Sequence, residues 1–199
     1  MKIFLIIISA IFVNNIVLAQ FLGICPFLGV SKKIDTALGM SMAVVFVMTI
    51  ATIVTWLIYT YIMVPLHVEY LQTIAYILVI AFLVQMVDTI LKKMSPSLYQ
   101  ALGVFLPLIT TNCTILGVAI MVIQNNMGLL DSTIFAVATS LGFGVALVLF
   151  AGIREQLALT KLPEGVKGMP IALITAGLLA MAFMGFSGVC PSLADILKM

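Results

Sequence analysis

Thr36-Ala-Leu-Gly-Met-Ser-Met-Ala-Val-Val-Phe-Val-Met-Thr-Ile-Ala-Thr-Ile-Val-Thr-Trp-Leu-Ile-Tyr-Thr-Tyr-Ile62 runs without one charged residue. About 20 helical residues, at 1.5 Å each, cross the roughly 30 Å of hydrocarbon in a bilayer, so this run reads as a membrane-spanning helix. The rest of the chain has the same character. Of its 199 residues, 64% are hydrophobic and 8% charged, with a mean hydropathy of +1.32. Soluble domains carry about 45–50% apolar and about 25% charged residues; here there are too few charges to cover a water-facing surface. A net charge of +2 gives no basis for nucleic-acid binding, three cysteines cannot all pair internally, and one histidine excludes zinc sites built on several imidazoles. The composition predicts an all-α polytopic membrane protein.

Working outward, six apolar stretches read as transmembrane helices: roughly 3–24, 36–62, 68–91, 98–123, 132–153 and 169–190. The connections are short, and no soluble domain fits between them. Residues 1–199 are therefore expected to form a single integral-membrane domain, with halves at about 1–96 and 97–199. Lys32, Lys33, Lys92, Lys93, Arg154, Lys161 and Lys167 follow odd-numbered spans, leaving only Lys2 and Lys198 for the other side. The positive-inside rule then puts the odd connections in the cytoplasm and both termini outside. Val17-Leu18-Ala19-Gln20 resembles a signal-peptide cleavage site, but Asn14 and Asn15 interrupt the apolar region, and the segment is read as a span.

Two spans carry helix breakers. The first runs from Asn14-Asn15 through Gly23-Ile-Cys25-Pro26 to Gly29; the second is Pro107-Leu-Ile-Thr110-Thr111-Asn112-Cys113, closing at Gly117. Proline removes a helix donor, while Asn and Thr can re-bond the freed backbone groups. Broken helices survive in a bilayer only around a protein-lined site; the alternative is kinked packing helices with small residues at their contacts. The breaks open each half of a faint repeat. Asn15 before Leu22-Gly23 matches Asn112 before Leu116-Gly117, and Thr36-Ala-Leu-Gly39 matches Thr139-Ser-Leu-Gly142. Three spans per half imply two inverted three-helix repeats, with the first and fourth helices broken.

Each break holds a cysteine. A free buried cysteine ordinarily packs as a small hydrophobe. On straight helices Cys25 would lie about 10 Å and Cys113 about 24 Å from the cytoplasmic face, so they could not meet. If both helices break, the thiols can converge near mid-membrane. Two thiolates are half the ligand set of a [2Fe–2S] cluster, and a partner would supply the rest. Cys190-Pro191, at the outer end of the last span, reads as a bystander. No carboxylate stands convincingly at mid-membrane: Asp88 is one turn from Lys92, Glu155 adjoins Arg154, and Glu69, Asp131 and Glu164 lie in loops. A chain without such a group is not expected to pump ions alone. Any cation path through it must use backbone carbonyls and the Thr and Asn groups of the breaks. The aromatic residues, Trp56 among them, read as packing and lipid contacts.

The longer motifs bear a family resemblance. Asn14-Asn15-Ile-Val-Leu-Ala-Gln-Phe-Leu-Gly-Ile-Cys25-Pro26-Phe-Leu-Gly-Val-Ser-Lys32-Lys33 resembles the first signature stretch of the RnfA family. Leu102-Gly-Val-Phe-Leu-Pro-Leu-Ile-Thr-Thr-Asn112-Cys113-Thr-Ile-Leu-Gly117 resembles the second, and Ala151-Gly-Ile-Arg154-Glu155 and the Ile174–Gly188 stretch fit as well. The resemblance implies a subunit of the Rnf complex of the cytoplasmic (inner) membrane, which couples electron transfer between ferredoxin and NAD+ to Na+ or H+ translocation. It also implies a homologous partner of RnfE type, further subunits RnfB, RnfC, RnfD and RnfG, and one intramembrane [2Fe–2S] cluster with two cysteines from each homologue. The positions that match these ligands are Cys25 and Cys113; Cys190 has no counterpart. The related NqrE subunit of the Na+-translocating quinone reductase typically carries an acidic residue near Asn14-Asn15 and lacks proline after the first cysteine. Asn14, Asn15 and Pro26 therefore favour RnfA. Two other readings are a small-solute transporter with the same inverted repeat, whose cysteines only pack, and a purely structural anchor.

Overall fold

A computed structural model describes residues 6–31, 33–67, 69–94, 106–160 and 168–187, and all regular structure among them is helical. Lys2, Lys32, Lys161, Lys167, Lys198, Cys190 and the stretch 102–105 of the second motif lie outside the described residues.

The expected first span is not one helix. Its opening helical turn widens into a π-helical turn at Ser9–Val13 and stops at Asn14, whose N–H donates to Ser9 O at 2.7 Å. The chain then turns irregularly through Phe21 (φ 57°) and Gly23 (φ 80°) before α1, Ile24–Val30. Cys25 and Pro26 occupy the first turn of α1, where proline's missing N–H would have had no intrahelical partner. Helix α2, Ile34–Ile58, continues through a π-helical turn at Tyr59–Met63 to Leu66, beyond the expected end at 62. Pro65 accounts for the widened turn, because its ring crowds the preceding carbonyls and it lacks a donor. Helix α3 is Gln72–Met94.

The second break is sharper. Helix α4, Leu106–Thr110, ends two residues before α5, Cys113–Gln124. Helix α6, Leu129–Leu159, outruns the expected 132–153, since the Arg-Glu-Gln-Leu-Ala residues after Ile153 are good helix formers. Helix α7 is Met169–Ser187. Among the described residues, four stretches have the length and composition to cross a membrane: Ile34–Leu66, Gln72–Ile90, Pro107–Gln124 and Leu129–Leu159; α7 is apolar but shorter.

The core is built on α2 and α6, which pack along most of their lengths. Small residues make the approach possible. A Cβ added at Gly144 would stand 3.1 Å from the Ser41 Cβ, tighter than an ordinary contact. Ser41, Thr52 and Thr55 return their hydroxyls to the carbonyls of Ala37, Met48 and Ala51 at 2.7–2.8 Å, so the seam carries satisfied polar atoms. The split first segment packs on α6 and α7, while α5 packs on α2, α3 and α6. Trp56 does more than pack: its Nε1–H donates to Met127 O at 3.0 Å, tying α2 to the α5–α6 turn.

Candidate functional site

Each break is organised by an asparagine. Asn15, 1% exposed, accepts the N–H groups of Val17 (3.2 Å) and Leu18 (3.4 Å) on Oδ1. Its Nδ2 donates to Gly142 O on α6 at 2.8 Å and to Ile11 O at 3.1 Å. Gly142 permits this approach, since a Cβ there would lie 3.0 Å from Ala10 O. At the other break, Asn112 caps α5 by accepting Thr114 N–H on Oδ1 at 3.0 Å. Both side chains replace helix hydrogen bonds lost at the break, as the low-dielectric surroundings require.

The two breaks meet. Gly23 N–H donates to Cys113 Sγ at 3.0 Å, across 90 residues of chain. Cys25 is two residues beyond Gly23, a separation that spans at most about 7 Å between Cα atoms. The two breaks thus place the Cys113 sulfur beside the turn that carries Cys25. Both thiols are free and exposed on the surface of this chain. Each sits in the first turn of a helix, where backbone N–H groups lack intrahelical acceptors. The junction is tight at its back wall. A Cβ on Gly23 would overlap Thr114 Oγ1 and lie 3.0 Å from Phe143 Cε2 and 3.2 Å from Asn112 Oδ1.

Two buried polar atoms line this wall without a hydrogen-bond partner among the described residues, Asn112 Nδ2 and Thr114 Oγ1, in residues 3% and 0% exposed. Among the described residues no three His, Cys, Asp or Glu side chains come together to hold a metal. Two exposed thiols, a backbone donor on one sulfur and unsatisfied polar atoms behind them suit half of a four-thiolate iron–sulfur site, whose potential responds to hydrogen bonds on sulfur.

Arg154 plays a part its sequence neighbourhood does not reveal. Read alone, it is a topology-setting charge beside Glu155. In the fold its Nη1 donates to Leu28 O at 2.9 Å and Ser31 Oγ at 2.8 Å, holding the last turn of α1. The guanidinium lies 5.8 Å from the centroid of Phe150, which stacks on Phe27 of α1 at 4.3 Å. The seven residues of α1 are too few for a helix to persist by itself. This clamp, with buried Pro26, Phe27 and Val30, positions the turn that carries Cys25. The Ala151–Glu155 motif was the only sequence signal for it.

These features define a helical membrane protein organised around two broken segments that meet where Gly23 N–H donates to Cys113 Sγ. The chain matches the family of Rnf-Nqr membrane subunits over residues 3–190 and belongs to it. It is 59% identical over 187 residues to the A-type subunit of the ion-translocating oxidoreductase complex of Syntrophotalea carbinolica, covering 94% of this chain and 97% of the relative. It is equally identical, 59% over 188 residues, to the A-type subunit of the Na(+)-translocating ferredoxin:NAD(+) oxidoreductase complex of Acetobacterium woodii, covering 94% and 98%. A third relative, the A-type subunit of the ion-translocating oxidoreductase complex of Sodalis glossinidius, is 53% identical over 181 residues, covering 91% and 94%.

Proposed function

We propose that this chain is the A-type membrane subunit of an ion-translocating ferredoxin:NAD+ oxidoreductase, in which Cys25 and Cys113 supply two of the four ligands of a [2Fe–2S] cluster. A homologous membrane protein supplies the other two, and the remaining subunits, of B, C, D and G type, complete the complex. The reading includes one integral-membrane domain of two inverted halves, both termini outside the cytoplasmic membrane, and coupling to Na+ or H+. The observation that carries it is the 3.0 Å contact between Gly23 N–H and Cys113 Sγ, which brings the second thiol beside the turn bearing the first.

Such a cluster, when bound, accepts and passes on one electron at a time within the membrane. The chain's own residues define its setting. Gly23 donates a hydrogen bond to one ligand sulfur and leaves room where any side chain would intrude. Asn112 and Asn15 hold the two breaks open, and Arg154 fixes the helix that carries Cys25. The exposure of both thiols leaves them accessible to a partner's ligands.

Replacing Cys25 or Cys113 with Ser in the purified complex should remove the [2Fe–2S] electron paramagnetic resonance signal, lower the iron content by two atoms' worth, and cut electron transfer by about a hundredfold or more. Cys190→Ser should leave all three unchanged. Normal iron content and activity in the first two variants would sink the cluster reading and favour the transporter or anchor alternatives, in which these cysteines only pack.

A further inference from the structure

A cavity of about 350 Å³ lies between the split first segment, α5 and α6. Its polar lining is Ser9, Asn14, Gln20, Asn125 and Thr139, with no Asp, Glu, Lys, Arg or His among the described residues. Thr139 is 2% exposed and its Oγ1 has no hydrogen-bond partner among them. That sets it apart from its neighbours. Thr49, Thr52, Thr55, Thr133 and Thr175 each return the hydroxyl to the carbonyl four residues back, at 2.7–2.9 Å. Thr133 does so on the same helix as Thr139. A buried hydroxyl left without a partner is costly, so the natural partner of Thr139 is a species inside the cavity.

The position of Thr139 is also distinctive. It stands ten residues into α6 from Leu129, and seven residues, about 10 Å along the axis, past the expected start of the span at 132. Gly142, one turn on, accepts the Asn15 side chain, and Phe143 abuts Gly23 at the cysteine junction. Thr139 is therefore four residues, about 6 Å along α6, from the residue whose ring abuts Gly23. Asn125 marks the other end of the cavity, by the α5–α6 turn.

Neutral oxygen ligands suit a hard cation. A divalent ion would call for carboxylates, and a proton relay for titratable groups; the described lining has neither. We propose that this cavity is a hydrated vestibule that binds a monovalent metal cation, with Thr139 Oγ1 as the innermost side-chain ligand and Gln20 at the rim. The α5–α6 end is the outer face in the charge-based topology. The proposal rests on the reading of this chain as part of an ion-translocating complex, and adds a location and a ligand class to it.

The test uses the intact complex, with Na+ as the probe, and reads the Na+ concentration for half-maximal ferredoxin:NAD+ electron transfer. Thr139→Val keeps the shape and removes the hydroxyl; it should raise that concentration about tenfold, the scale of one lost polar contact. The iron content should not change, and Thr139→Ser should behave as the unmodified complex. Gln20→Glu, an exposed change that places a negative charge at the rim, should lower the half-saturating concentration about threefold, and decides the question if Thr139→Val does not assemble. An unaltered Na+ dependence in Thr139→Val, or in Gln20→Glu where it alone can be measured, overturns the proposal, as does a complex indifferent to Na+. Failure of the cluster reading would appear separately, in the iron content of the Cys25 and Cys113 variants.

Discussion

At Gly23 three demands fall on one backbone unit. It takes φ 80°, which costs an L side chain about 1–2 kcal/mol; its N–H holds Cys113 Sγ; and its missing Cβ makes room for Thr114, Phe143 and Asn112. Gly23→Ala would combine the backbone cost with overpacking of about 1–3 kcal/mol. We expect it to displace the Cys113 sulfur, and the purified complex to lose iron and melt several degrees lower. Full iron occupancy with an unshifted melting temperature would show that the junction yields more easily than its contacts imply. The residue types at the breaks were legible in the sequence: Asn15, Gly23, Asn112 and Cys113 stand out in an apolar chain as backbone-pairing, backbone-bending and metal-ligating groups. Their partners were not, because a backbone C=O like that of Gly142 belongs to every residue and an N–H like that of Gly23 to every residue but proline.

At the level of elements, α1 is the piece whose placement is least local. Seven residues cannot sustain a helix, and Phe27, Phe150 and the two hydrogen bonds from Arg154 Nη1 hold it against α6. Hydrogen bonds from a charged donor contribute about 1.5–3 kcal/mol. Arg154→Ala should therefore speed hydrogen exchange of the amides at 28–31 by about ten- to a hundredfold while leaving the α2–α6 amides protected. Arg154→Lys should recover only part of that protection, since an ammonium can donate to the same acceptors but loses the planar guanidinium that lies 5.8 Å from the Phe150 ring centroid. Uniform exchange in all three proteins would remove Arg154 from the positioning of Cys25. The expected element lengths failed in an instructive direction. Helix α6 runs past its apolar window because helix propensity, not bilayer thickness, decides where a helix ends, whereas α2 continues through the apolar Met63–Leu66 and stops at His67, with φ 51°.

For the whole molecule, the distribution of basic residues predicts opposite sides of the membrane for position 33 and the C-terminus. Reporter domains fused after Lys33 and after Met199 should read cytoplasmic and outer, respectively. A cytoplasmic C-terminus would overturn the six-span topology and, with it, the outward direction assigned to the vestibule. Both observed breaks share one construction, a short helix, an asparagine that accepts the N–H two residues on, and a second helix beginning at or near a cysteine. That likeness accords with two related halves.

What the sequence determined by itself is the solvent and the punctuation. An apolar run without charges has to be helical in lipid because every backbone group must find its partner within the segment, and Pro, Gly and Asn mark where that rule is locally suspended. Only the tertiary structure decided which break faces which. It set Cys113 against Gly23, Arg154 against the end of α1, and Thr139 beside a cavity with its hydroxyl unpaired. These are contacts between residues about a hundred positions apart or cavities bounded by several helices. Their geometry depends on the close approach of α2 and α6 at small residues and on the packing of the remaining helices around that pair, which no local pattern encodes.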